Sequence, residues 1–586
     1  MPLYHAPTTD FQFLLKDWLG LDAHYEKLGI SDFDSELANE IIAQGAKFAL
    51  DVVAPLNREG DEEGCTLKDG KITTPKGFAD AYQEYVANGW NAMLGTAEYD
   101  GQDLPYTMAV PVHEMLNAAN LSWRLTTMLT ESATLAVTKH ASKELKDIYL
   151  AKLISGEWTG TMNLTEPHAG TDLSLLSTKA EPQGDGSYKV TGNKIFITAG
   201  DQDWSSNVIH LVLARLPDAP KGVKGISLFL VPKFLPDANN EPGEANSLSV
   251  GSIEHKMGIK ASPTCVMNFD GATGYLVGEE NQGLACMFTM MNDARFQVGL
   301  QGLGAAEASY QGALTYARER VQSRAPQGIQ NPEGKADPIV FQPDVARMLL
   351  TQKSLIEGCR ALSLFYAKFM DVEKLGEGQE KEDADKVLQF LTPICKAFMT
   401  DMGLETTSLG VQVFGGHGFI REWGMEQLMR DVRIAMLYEG TNGIQALDLI
   451  GRKLTRDGGQ MMEATYNAFN ALVSDIQDAE AKGLAQGILD DWRASSADCL
   501  GMDATTAAAA ACDYLAYSAY SLIGVLWYSM ADKAQTSGNA VLAASKMKTR
   551  DFYVERILVR HDAHKAAYKA GPESTLAISG NEFDYL

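Results

Sequence analysis

The chain has 586 residues, 45% of them hydrophobic, and carries a formal net charge of −26 with a pI near 4.8. That length exceeds what one hydrophobic core supports and predicts several domains. The acidic balance argues against nucleic acid and against adhesion to anionic membrane surfaces, because both would be repelled.

Other compositional features bound the chemistry further. Seven cysteines (65, 265, 286, 359, 395, 499 and 512) lack C-x-x-C or metal-type spacing. They predict reduced thiols, no disulfide and no metal site. The start, Met1-Pro2-Leu3-Tyr4-His5-Ala6-Pro7, shows neither a basic nor an apolar targeting pattern, so a cytoplasmic location is expected.

From Phe11 to about Ser155 apolar residues recur at three and four, as in Glu36–Leu50, and predict packed amphipathic helices. A turn-rich loop, Glu98–Pro105, interrupts them. Between Trp158 and about Glu280 the period falls to two, with Tyr188–Gly192 and Ile209–Arg215 alternating and Ile226–Val231 nearly continuous. The polar stretch Asp237–Glu244 reads as a surface loop. Helical periodicity returns at Gly283 and runs to about Leu454, broken by a charged loop at Glu373–Lys386 and a Pro-containing stretch at Ala325–Pro338. Further helices follow to the end. Within them Tyr514–Met530 has no charge but is shorter than the roughly 20 apolar residues of a membrane span, which favours a buried bundle helix over membrane contact. The expected fold is mainly α with a central β domain: 1–157 helical, 158–282 β, 283–456 a helical bundle and 457–586 an additional helical domain.

The run Arg430–Gln445 concentrates the chemistry. It delivers Glu439 from the apolar residues Ile434, Met436 and Leu437 into a Gly440-Thr441-Asn442-Gly443 turn and a new helix. An apolar surround would raise the carboxyl's pKa and strengthen it as a base. Backbone N–H groups after the turn suit a polarised oxygen. Alone, such a string is also an ordinary helix connector.

Three more segments give it company. Gln412-Val413-Phe414-Gly415-Gly416-His417-Gly418-Phe419, Leu164–Asp172 and Gly192–Gly200, with Tyr438–Thr441, resemble the signatures of the acyl-CoA dehydrogenase family in the family's order. The Glu98–Gly101 loop resembles that family's E-Y-G-G loop. The resemblance covers about residues 30–455, and the last segment marks a longer, bacterial-type member.

The resemblance implies an N-terminal α domain, a small β-barrel or sandwich domain and a C-terminal four-helix bundle. It implies bound FAD, an acyl-CoA substrate and α,β-dehydrogenation to a trans-2-enoyl-CoA, as in fatty acid β-oxidation. Glu439 then takes the α-proton while the β-hydride leaves to flavin N5. The thioester oxygen is held by the Glu439 N–H and a ribityl hydroxyl. Some members carry the base before the Arg of the segment Met290–Arg295, where this chain has Ala294. Asp293, the nearest rival, is turned about 100° away on a helix.

Flavin contacts are implied at Met162, Leu164, Thr165, Gly170, Thr171, Phe196 and Thr198. Toward a neighbouring subunit's cofactor they are implied at Arg320, Gln322, Gln342, Gln412, Gly415 and Gly416, with Thr441 also touching cofactor. Ser323-Arg324 depart from the family's Phe-Gly. Substrate contacts are implied at Thr171, Asn292, Arg295, Tyr438 and Gly440. Electron-transferring flavoprotein is the implied acceptor and a homo-oligomer the implied assembly, dimer favoured over tetramer. An acyl-CoA oxidase and a catalytically silent scaffold of the same fold are the alternatives. Chain length, branching and sulfur-containing acyl groups are left open, with Met115, Leu116, Met128 and Leu129 as candidate pocket residues.

Overall fold

The computed structural model describes residues 4–578 and 580–583. Met1–Leu3, the first residues of the chain start considered above, lie outside the described residues. By internal contacts the chain divides into two units. One comprises the residues up to Lys47, Tyr106–Ala118 and Val298 onward; the other comprises Phe48–Pro105 and Ala119–Gln297.

The second unit is built on a seven-stranded sheet. Strand Trp158–Asn163 pairs in parallel with Asn207–Ala214, which pairs antiparallel with Ser227–Pro232. The long strand Thr264–Val277 joins Ser227–Pro232 to Tyr188–Thr198, and Leu248–Ile253 also pairs with it. The alternating residues seen in the sequence bury one face: Val190, Ile197, Val212, Phe229, Val231, Met267 and Phe269 form its core. Helices Leu121–His140 and Lys143–Ser155 belong to this unit. Two details differ from the expected pattern. A hairpin, Thr66–Lys68 with Lys71–Thr73, turns at Asp69-Gly70 inside the helical segment. The stretch 237–244 is the turn and one arm of a small hairpin pairing Phe234–Pro236 with Pro242–Ala245.

The first unit is a helical bundle. Its long helices are Pro343–Leu375, Gly378–Phe414 and Ala504–Ala534, with the last part of Gly283–Glu319. The charged stretch expected as a loop at Glu373–Lys386 is almost wholly helical, with only Gly376 and Glu377 between the two helices. Its Glu, Lys, Gln and Asp residues are exposed or half-buried and mostly favour helix. They also pair along it, Gln379 with Asp383 at 2.9 Å and Gln389 with Asp385 at 2.6 Å. Helix Ala504–Ala534 is long and apolar enough to cross a membrane, yet 78% of its apolar window is buried within the protein. Trp527 donates to the Ser354 carbonyl at 3.1 Å and Trp18 to Ser529 at 3.0 Å.

A buried ionic hub ties remote segments of this unit together. Arg360 reaches Asp10 at 2.9 Å, Glu114 at 2.6 Å and Glu307 at 2.6 Å. Lys546 bridges Asp10 at 2.6 Å and Glu357 at 2.8 Å, and Lys353 also pairs with Glu357.

Candidate functional site

Glu439 follows a 3₁₀ turn, Arg433–Met436, and precedes helix Asn442–Leu447. Its φ is +56° and that of Gly440 is +81°. Left-handed backbone is ordinary for glycine but costs a residue with a Cβ roughly 1–2 kcal/mol, so it persists only where the surroundings enforce it.

Here they do. The Gln445 amide donates to the Glu439 carbonyl at 3.0 Å. The Thr441 hydroxyl caps the new helix by accepting from the Ile444 N–H at 3.3 Å. Asn442 accepts from the buried Lys396 ammonium at 2.9 Å, and donates to the Ala397 carbonyl at 3.1 Å, Thr400 at 3.0 Å and Asp401 at 2.6 Å. The Tyr438 hydroxyl donates to Gln301. Burial, with the Glu439 charge beside it, pushes that phenol far up, so it stays a neutral donor. The apolar shield expected around Glu439 is thinner than the sequence suggested: Leu437 is 49% exposed and Ile434 and Met436 are half-buried. Polar contacts, rather than an apolar wall from its own run, fix the Glu439 turn.

In the β-containing unit, the alternative acid is committed elsewhere. Asp293 is buried and accepts from the Ser132 hydroxyl at 2.6 Å, and burial raises its pKa to about 6 against that hydrogen bond. Beside it, Asn292 is exposed, and the buried Arg295 donates to it at 3.3 Å while lying over the Phe288 ring.

The same unit presents the strand motifs. Met162 still belongs to the strand; past Asn163 the chain leaves the sheet, and the Thr165 carbonyl accepts the Ile195 N–H at 2.9 Å. Buried Lys194 donates to the Leu164 carbonyl and to Glu166, both at 2.9 Å. Glu166 also accepts from the backbone N–H and the hydroxyl of both Ser177 and Thr178, at 2.6–3.0 Å. Burial works to raise its pKa, but the Lys194 charge and these donors outweigh that and hold it at about 2. This pair, which the sequence reading did not single out, staples both ends of the loop carrying exposed Gly170 and Thr171. Strand Tyr188–Thr198 passes Thr178 at Gly192, where an added Cβ would sit 2.9 Å from the Thr178 Cα. Farther along it, Phe196 has φ +61° and is 59% exposed, and Thr198 is half-buried.

The remaining motifs lie in the bundle unit. Tyr316 stacks on Phe414 with ring centroids 4.2 Å apart, and its hydroxyl lies 2.8 Å from His417, which stacks on Trp423. That cluster joins the end of helix Gly283–Glu319, where Arg320 follows, to the Gln412–Gly416 turn. The departure at Ser323-Arg324 has a structural reason: Arg324 pairs with buried Asp337 at 3.1 Å. Asp337 also accepts from the N–H groups of Ala325, Gln330 and Asn331 and so organises the Pro-containing loop. The loop returns Phe341-Gln342 to the R-x-Q segment, with the Gln342 amide donating to the Gln322 and Arg324 carbonyls at 3.4 and 3.3 Å.

Comparison with known proteins decides the identity. The sequence profile described as "Acyl-CoA dehydrogenase, N-terminal domain" matches residues 35–157, the middle domain 161–272 and the C-terminal domain 281–455. The chain belongs to the acyl-CoA dehydrogenase family. A further profile, "Acetyl-CoA dehydrogenase C-terminal like", matches 460–579. The chain is 40% identical to a 3-methylmercaptopropionyl-CoA dehydrogenase of Ruegeria pomeroyi over 98% of its own length and all of that protein. It is 38% identical to a butyryl-CoA dehydrogenase of Syntrophomonas wolfei over 80% of this chain and 83% of that one. In fold it matches Caenorhabditis elegans ACDH-11, solved in complex with C11-CoA, at a TM-score of 0.80 and 18% identity, over all of this chain and 96% of that one. The additional C-terminal helices are thus part of a shared architecture.

The protein is therefore an FAD-dependent oxidoreductase acting on acyl-CoA. Its own residues fit that cofactor in each unit. Gly170 in one, and Gly415 (φ +59°) and Gly416 in the other, are exposed glycines at which an added Cβ would meet nothing within 4 Å. Bare backbone facing open space admits a dinucleotide closely. The outward Phe196 ring is an apolar platform of the kind an isoalloxazine covers. Exposed Arg320 supplies a guanidinium suited to a pyrophosphate.

Proposed function

We propose that this dehydrogenase oxidises a short acyl-CoA thioester between Cα and Cβ, with Glu439 taking the α-proton. The observation that carries the assignment is the left-handed, polar-anchored turn that presents Glu439, together with Ala294 where the family's other base would stand. Bound FAD supplies the acceptor for the hydrogen leaving Cβ. In one unit Asn292 and Arg295 are assigned to the pantetheine arm and Thr171 to the substrate; in the other, Tyr438 and Gly440, the chain neighbours of Glu439, are assigned to the substrate. The Glu439 N–H polarises the thioester oxygen and so lowers the cost of the developing enolate. Met162, Leu164, Thr165, Gly170, Thr171, Phe196 and Thr198 hold the isoalloxazine side. Arg320, Gln322, Gln342, Gln412, Gly415 and Gly416 reach the pyrophosphate and adenosine part of a neighbouring subunit's cofactor, and Thr441 also touches cofactor.

Preference for a short acyl group is supported by the relatives named for 3-methylmercaptopropionyl-CoA and butyryl-CoA. Fatty acid β-oxidation is one setting for such a step, and oxidation of a thioether-containing acyl group is another. Electron-transferring flavoprotein is the acceptor in this reading. A second copy of the chain, most simply in a homodimer, covers Phe419, which is 82% exposed, and Ile420 beside Gly415-Gly416. Free thiols at all seven cysteines support a reducing, cytoplasmic setting.

The test is flavin reduction under anaerobic conditions by butyryl-, 3-methylmercaptopropionyl- and octanoyl-CoA. The two short thioesters are expected to react fastest; faster reduction by octanoyl-CoA overturns the substrate reading. Glu439→Gln should lower the rate by on the order of 10³-fold while FAD stays bound. Activity near wild type in that variant removes the base assignment. Rapid peroxide formation without a carrier would favour the oxidase reading.

A further inference from the structure

We infer that Lys396, Thr400 and Asn442 act as one positioning unit for the reaction, locking Glu439 in its left-handed conformation. The inference rests on Glu439 being the base.

The geometry is specific. Asn442 is the first residue after the Thr441 cap, three positions beyond Glu439, so fixing it fixes the turn from its far end. Its Oδ1 is the acceptor for the Lys396 ammonium at 2.9 Å, while the Thr400 hydroxyl donates to the Lys396 carbonyl at 2.8 Å and is left to accept from the amide. Its Nδ2 donates to the Ala397 carbonyl, Thr400 and Asp401. Only an amide serves both directions here. An aspartate would lose the donors and set a second carboxylate against Asp401, now 2.6 Å from the amide nitrogen. Lys396 is fully buried, so its charge must be met by oriented acceptors. On the near side Gln445, also fully buried, holds the Glu439 carbonyl itself. With the carbonyl held on one side and Asn442 on the other, the Glu439 backbone cannot relax to negative φ without breaking the network. Relaxation would redirect the carboxylate and the N–H together, and both are asked to face one thioester.

Four variants test this: Lys396→Met, Asn442→Leu, Thr400→Val and the Lys396→Met/Asn442→Leu double, each with FAD bound, beside Glu439→Gln. Asn442→Leu should lower kcat on the order of 10²-fold with KM nearly unchanged, the size expected of an ångström-scale misplacement. The isotope effect with α-deuterated acyl-CoA should rise, because proton removal becomes slower than the steps around it. The double variant should be no slower than the worse single one, since the three side chains act as a unit. Independently of turnover, amide deuterium uptake should rise in segment 437–446 and stay unchanged elsewhere. Thr400→Val removes one hydroxyl and should show the same pattern at roughly threefold to tenfold in kcat.

If kcat, isotope effect and local exchange are unchanged in these variants while Glu439→Gln is inactive, the positioning unit is overturned and the base assignment stands. A rise in exchange across the whole chain also overturns it, because the network would then be merely structural. If Asn442→Leu fails to fold, Thr400→Val decides alone: wild-type kcat and wild-type exchange in 437–446 reject the inference. An active Glu439→Gln rejects the underlying reading instead, and is distinguishable by that result.

Discussion

Each unit buries an ion cluster, and the two are built on opposite principles. In the β-containing unit one carboxylate, Glu166, meets one ammonium, Lys194, and four further donors from Ser177 and Thr178. In the bundle unit four carboxylates (Asp10, Glu114, Glu307 and Glu357) share three cations (Lys353, Arg360 and Lys546). The first cluster saturates its charge and the second leaves one in excess. The saturated pair anchors a loop that must present backbone to a cofactor; burial lowers the Lys194 ammonium to about 8 against the Glu166 charge, while Glu166 is held at about 2, so both stay charged at neutral pH. The unbalanced hub joins segments hundreds of residues apart, and its surplus falls on Glu114. Burial raises the Glu114 carboxyl to about 7 against the opposing charge of Arg360.

The largest effect should come from unbalancing the balanced pair. Lys194→Met leaves Glu166 charged in a buried site and should cost about 3–5 kcal/mol, read as a lowered melting temperature. It should also weaken FAD binding, because the Leu164 carbonyl loses its donor and the loop carrying Gly170 and Thr171 loses a staple. A variant as stable as wild type would show that the four remaining donors suffice without the cation.

Neutralising the surplus carboxylate of the hub should do the reverse. The Glu114 pKa is raised on folding, so its protonated form is the one folding favours. That stability is fully present below pH about 4.5 and is lost as pH rises through about 7. The full span corresponds to about 3 kcal/mol. Glu114→Gln should therefore flatten the decline in melting temperature between pH 5 and 8 without large loss at pH 5, since a glutamine carbonyl still accepts from Arg360. An unchanged pH profile would place the surplus charge on another carboxylate of the hub.

How far the sequence could foresee this follows from what each feature depends on. The order of helices, strands and helices is readable because period is local, and the offset of Asp293 from Ala294 on its helix, about 100°, accords with its hydrogen bond from Ser132. The charged stretch at 373–386 misled, because exposed charges were read as loop when they form the solvent face of a helix. The network around Glu439 was invisible: Lys396 and Asn442 are 46 residues apart, and nothing in either local pattern announces the other. The same holds for Lys194 and Glu166, and for Arg324 and Asp337, where a departure from the family motif is explained by a partner the loop brings back.

The smallest change sharpens the comparison most closely, because it alters the Glu166 donors without touching the ion pair. Thr178→Val removes the hydroxyl that donates to Glu166 at 2.6 Å but keeps the Thr178 N–H and Lys194. Stability at neutral pH should fall by about 1 kcal/mol. The Glu166 pKa is depressed on folding, so its stabilisation is present above pH about 4.5 and is lost as pH falls toward 2. With one donor gone the depression is smaller, and the acid-unfolding midpoint should move to higher pH than in wild type. Glu114→Gln should leave that acid limb where it is, since its titration lies near neutrality. If Thr178→Val leaves the acid midpoint unmoved, the saturation of Glu166 by neutral donors is redundant and Lys194 alone sets its charge.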